Sequence, residues 1–160
     1  MRLLRLNEKR HKCAGFNLPI KLRAAARRHL KHAKIKENTV IYLASPYTHS
    51  DSEVREKRYD LAVSAMAAFL KDKQNVYSPI VHCHVITVRH ALPFDHQFWV
   101  EYNNHFLGLC EKIYVLCIDG WEESVGVQKE IDFAYWHCIP IEFFEFNTEN
   151  KLFPVLKKSF

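Results

Sequence analysis

Nowhere does the chain approach 18 consecutive apolar residues, so no transmembrane helix and no membrane partner are expected. It has no CxxC pair. The five cysteines, Cys13, Cys83, Cys110, Cys117 and Cys138, are odd in number and scattered. That spacing argues against a disulfide framework or a structural zinc site, and for a reducing compartment. Internal repeats and low-complexity tracts are absent, and no apolar segment follows the basic start as a secretory signal would require. A cytoplasmic globular protein is the expectation. Glycine is scarce, with four in 160 residues. That makes Gly126, in the first turn of a helical pattern, conspicuous, because glycine inside a helix costs roughly 1 kcal/mol relative to alanine.

What is present fits one domain of ordinary size, with 48% hydrophobic and 26% charged residues. The net charge of +5 hides an asymmetry. Residues 1–37 hold 12 Lys/Arg against 2 Asp/Glu, a net of +10, and residues 38–160 hold 11 against 16, a net of −5. A basic arm (1–37) therefore precedes a mildly acidic domain (38–160). The arm could touch nucleic acid or another polyanion, serve as a transit-like leader, or be a solvated extension.

Apolar runs and helical periodicity then alternate. Thr39–Ser45, Asn75–Val81, Lys112–Ile118 and Ile139–Phe146 read as strands. Asp51–Asp72 reads as a helix capped by Asp51 or Ser52, with Val54, Leu61, Ala65 and Phe69 on one face. Asp95–Leu109 reads as a helix with Phe98, Tyr102, Phe106 and Leu109 inward. Ser124–Cys138 reads as another, with Val127, Ile131 and Ala134 inward. The alternation predicts the α/β class: a three-layer, flavodoxin-like or Rossmann-like sandwich around a parallel sheet of about five strands. In such sheets ligands sit beyond the carboxyl ends of the strands. The segments to inspect are therefore Ser45–His49, Ser78–His84 and Asp119–Gly126.

In the last of these, Ser124 can cap the following helix. Gly126 and Glu130 are four apart and share a face. Helical side chains lean toward the N-terminus, so Glu130 leans over the spot where Gly126 has no side chain. Free amides at that end can also hold an anion. The plainer alternative is that Gly126 only permits close packing and Glu130 is a surface charge. Tyr47 can line a pocket or be a turn aromatic, and Arg58, with Arg55, can reach a phosphate or stay solvated. His82 and His84 would share a face of a strand, and no third ligand of suitable spacing stands out, so a pocket histidine is expected rather than a metal site. Trp121 can stack on a flat base or cap the sheet edge.

Four motifs in this order, "YLASPYTH", "YSPIVHCHVI", "LPFDHQFW" and "VLCIDGWEESVGVQKEIDFA", resemble the nucleoside 2-deoxyribosyltransferase superfamily over Val40–Ile141. The resemblance implies a homodimer or higher homo-oligomer and no cofactor. It also implies a catalytic glutamate, here Glu130, that attacks the anomeric carbon and forms a covalent sugar ester. Tyr47 would match the tyrosine that orients this glutamate, with Ser45, His82 and Trp121 around the substrate. Relatives acting on free nucleosides carry an aspartate six residues before the glutamate. Those similar to 2′-deoxynucleoside 5′-monophosphate N-glycosidases carry a serine there, and this chain has Ser124. Ser124, Gly126 and Arg58 would receive the phosphate. Asn103 stands where relatives often have an aspartate. An amide cannot be a general acid, so protonation of the leaving base would fall to Asp95 or water. The expected function is hydrolysis of the base–sugar bond of a nucleoside 5′-monophosphate. Base exchange on free nucleosides and a non-catalytic nucleotide-binding module are the alternatives.

Overall fold

The computed structural model describes residues 39–155. The basic arm, and the nucleic-acid and leader readings attached to it, lie outside the described residues. The elements run β1 (Val40–Ala44), α1 (Ser52–Lys71), β2 (Asn75–Tyr77), α2 (Pro79–Arg89) and α3 (His96–Leu109). They continue with β3 (Lys112–Leu116), α4 (Val125–Trp136), β4 (Ile141–Phe146) and β5 (Leu152–Val155).

The strands form one sheet in the order β2-β1-β3-β4-β5. The first four are mutually parallel, and β5 closes the edge antiparallel to β4. The chain is α/β as expected, with helices covering both faces. Alternation along β1 sends Ile41 and Leu43 to a cluster with Ala65 and Phe69 of α1. It sends Tyr42 and Ala44 to a cluster with Leu107 of α3 and Val127, Ile131 and Ala134 of α4. Burying each large aliphatic side chain stabilises by roughly 1.5–3 kcal/mol, so the two clusters clamp the sheet between its helices. No helix among the described residues is long and apolar enough to cross a membrane.

Asp51 caps α1, Asp95 caps α3 and Ser124 caps α4. Three expectations need correction. The strand expected over Asn75–Val81 ends at Tyr77, because Ser78 caps a helix that has Pro79 in its first turn. A proline there gives up no hydrogen bond and comes with its φ preset. The second correction is β5, a short edge strand carrying Pro154, which no apolar periodicity signalled. The third concerns α3, where Phe98, Tyr102 and Leu109 face outward and Leu107 is buried. The helix turns the Asn103–Leu107 side to the sheet instead. Cys83, Cys110 and Cys117 carry free thiols.

Candidate active site

With β2 and β3 on opposite sides of β1, the chain leaves β1 and β3 in opposite directions, and a crevice opens at their carboxyl ends. A cavity of about 390 Å³ lies there. It is bordered by Ser45 and Tyr47 after β1, by the start of α2, by Asp95, Trp99 and Asn103 of the α3 region, and by Ser124–Val127 and Glu130 of α4.

Glu130 is 5% exposed, yet its side chain borders this cavity. The Tyr42 hydroxyl donates to its Oε1 at 2.7 Å, and the Asn103 Nδ2 donates to the same oxygen at 3.2 Å. No donor among the described residues reaches Oε2. Burial pushes the Glu130 carboxyl up to about 7, while the bonds from Tyr42 and Asn103 pull it down. Tyr42 is itself raised well above the usual phenol range, by burial first and by the Glu130 charge second, so it stays a donor. The arrangement is a carboxylate with one oxygen anchored and the other without a donor. It sits in a low-dielectric pocket that a ligand can enter.

The hydrogen bond expected from Tyr47 to Glu130 is thus made by Tyr42, which points inward from the strand. Tyr47 does border the cavity, but its hydroxyl lies 2.7 Å from His84 Nδ1. His84 is 7% exposed and stacked on Tyr59 at 3.9 Å between ring centroids. His82, expected at the site, does not border the cavity. On a helix residues two apart diverge, and its ring lies against Tyr77 with Nδ1 2.6 Å from the Ser78 carbonyl. Among the described residues no group of three or more His, Cys, Asp or Glu is placed to hold a metal ion.

Gly126 borders the cavity beside Ser124. A methyl group at Gly126 would meet His96 Nδ1 and the Ser124 Oγ only at 3.9 Å each, so there is room above it. Ser124 Oγ accepts from the Val127 amide at 3.4 Å. Asp95 accepts from the Phe98 amide at 3.1 Å and borders the same cavity. The Oγ of Ser45 and the Oδ1 of Asn103 are buried without a partner among the described residues. Buried orphans are uncommon in native structures and call for a ligand, water or ion.

Two expected residues stand elsewhere. Arg58 braces the loops after β1 and β3, donating to the Thr48 carbonyl at 2.9 Å and to the Asp119 carbonyl at 3.2 Å. Its guanidinium lies where a side chain at Gly120 would be, 2.3 Å from that β-carbon position, and Gly120 also has φ +82°. Trp121 is 8% exposed and packs on Phe143 in the core, so the indole at the cavity is that of Trp99. No lysine or arginine borders the cavity among the described residues. An anion there would be held by helix-end amides, Ser124 and the histidines.

Sequence reasoning missed His96 and Tyr42 as site residues, and of the histidine pair it placed His82 rather than His84 at the substrate. The helix-start signal of Ser78-Pro79 was available to place His84 correctly. The chain belongs to the domain family of unknown function DUF1937, whose model matches residues 39–145. No curated protein matches it.

Proposed function

We propose that this chain is an N-glycosidase acting on deoxynucleoside 5′-monophosphates, of the nucleoside 2-deoxyribosyltransferase type. The observation that carries the reading is Glu130: buried at the cavity wall, Oε1 held by Tyr42 and Asn103, Oε2 without a donor among the described residues. A carboxylate that must attack a carbon needs one oxygen fixed and the other unencumbered. Oε2 would attack the anomeric carbon as the base leaves, and water would then cleave the ester. Two donors on Oε1 also stabilise the leaving carboxylate in the second step. Ser45 and Asn103 offer unpartnered polar atoms to the sugar hydroxyls. The α4 amino end, with Ser124 and the space over Gly126, takes the phosphate.

A specific observation favours a second reading, base exchange on free nucleosides. Among the described residues no lysine or arginine borders the cavity, and Asp95 and Glu123 do. The same experiment separates the two. Deoxynucleosides and their 5′-monophosphates are incubated with the protein, with and without a second free base, and the products are resolved by chromatography. The primary reading expects free base from the monophosphates and no new nucleoside. It also expects a loss of about 1000-fold or more in Glu130→Ala, since the nucleophile is gone. Release that survives Glu130→Ala unchanged removes the assignment. Outward-facing apolar side chains on α2 and α3, among them Ile86, Val88 and Phe98, favour a homo-oligomer. Sedimentation of the purified protein checks this.

A further inference from the structure

When the base–sugar bond breaks, the departing base needs a proton, and Glu130, bonding to the sugar carbon, cannot give one. Asn103, beside Glu130, has no proton to transfer. From the cavity wall outward, a phenol, an imidazole and a carboxylate follow one another. The Tyr47 hydroxyl is 2.7 Å from His84 Nδ1, and His84 Nε2 is 3.4 Å from Glu56 Oε1. The His84 side chain is 7% exposed, whereas that of Glu56 is 57% exposed. The line therefore runs from the cavity through a buried ring to water.

Three further observations fit a proton path. His84 is held in place by its stack on Tyr59 and its edge contact with Tyr47. Glu56 Oε1 faces Nε2, which leaves Nδ1 as the nitrogen that faces Tyr47. The charged and titratable groups around the pair are Arg55, Glu56 and Tyr59 of α1, while Cys83 of α2 and Asp95 and His96 of the α3 region border the cavity. Burial pushes the Tyr47 hydroxyl up to about 12, so the phenol keeps its proton at neutral pH and needs a stronger acid behind it to release it.

We propose that Tyr47 is the proton donor to the leaving base and that His84, supported by Glu56, recharges it. This rests on the glycosidase reading above. In the first half, the electron pair of the base–sugar bond goes to the base and the Tyr47 proton follows it. The Tyr47 oxygen takes the Nδ1 proton of the His84 imidazolium, and Glu130 Oε2 bonds to the anomeric carbon. In the second half, water attacks that carbon and the ester pair returns to Glu130. The water proton passes through Tyr47 back to Nδ1. Base, sugar and water balance, and the protein ends as it began.

Two leaving groups on the same sugar phosphate test this: a natural deoxynucleotide, and 4-nitrophenyl 2′-deoxyriboside 5′-phosphate, whose nitrophenolate leaves without a proton. Tyr47→Phe and His84→Gln are expected to slow release of the natural base about 100-fold or more, the ordinary size of a general-acid contribution. Nitrophenolate release should change only a few-fold. On the natural substrate His84→Gln should lower kcat far more than it changes KM, and Glu56→Gln, a surface change, should slow the same step to a smaller extent. Equal slowing of both substrates, or a rise in KM with kcat unchanged in His84→Gln, overturns the proton path. Nitrophenolate release that disappears in Glu130→Ala keeps the glycosidase reading standing in that case. Release from neither substrate by the unaltered protein overturns both.

Discussion

The two faces of the sheet are built differently. On the α1 face, Phe69, Tyr114 and Phe144 meet at 4.5–5.0 Å between ring centroids, among Ile41, Leu43 and Leu116. On the α3/α4 face the same kind of apolar cluster surrounds a buried glutamate and a buried tyrosine, beside two unpartnered polar atoms at the cavity. One face serves folding. The other gives up stability to hold a carboxylate in a dry place, the usual mark of a functional site.

Substitutions on the two faces should therefore behave in opposite ways. The largest effect is expected from Phe69→Ala, which should cost about 3–5 kcal/mol in chemical denaturation, with no change in the pH dependence of activity in the surviving folded fraction. A loss below about 1 kcal/mol would mean that the aromatic cluster is looser than its contacts suggest. Glu130→Gln should do the reverse. The folded carboxyl titrates at about 7 against 4.5 ordinarily. Between those values the native state binds more protons than the unfolded chain, so stability falls as pH rises through that window. The glutamine should lack this decline, gaining up to about 3 kcal/mol above pH 7 and little below pH 4.5, read from melting curves across pH. Activity should vanish in the same protein.

Smaller effects sharpen the comparison on the cavity face. Tyr42→Phe removes a bond to a charged group, worth about 1.5–3 kcal/mol. The acid limb of the rate profile should rise by about one pH unit or more, because the carboxylate loses its main donor. Removal of the Tyr47 hydroxyl should leave that limb in place. Gly126→Ala should be the mildest change, stabilising α4 by up to about 1 kcal/mol. The added methyl meets nothing closer than 3.9 Å. Weaker nucleotide binding measured by calorimetry would then report the methyl in the ligand's space, and unchanged binding would place the phosphate elsewhere.

Much of the scaffold could be read in one dimension, because its causes are local. Apolar strands, the caps Asp51 and Ser124, and the inward stripe Val127-Ile131-Ala134 are short-range patterns. The stretch Ser78–Val85 misled because an apolar run suits a strand as well as a helix. The serine and proline at its start settled the matter through backbone geometry. Gly126 over Glu130 was readable from helical spacing. The partner of Glu130 was not: Tyr42 lies 88 residues away in sequence, and on its strand it looks like any core aromatic. Pairing a tyrosine with an acid across such a separation depends on strand order and helix crossing, which periodicity does not encode. The same holds for Arg58, whose guanidinium reads as a free cation until two loops wrap around it.

The proposed glycosidase activity depends above all on Glu130 as nucleophile. A deoxynucleotide analogue with fluorine at the sugar 2′ position slows hydrolysis of the ester more than a mass measurement requires. Incubated with the protein and digested, it should leave one fluorinated sugar-phosphate on the peptide that contains Glu130, with base released in equal amount. Base release with no adduct there, or an adduct on another residue, would contradict the account.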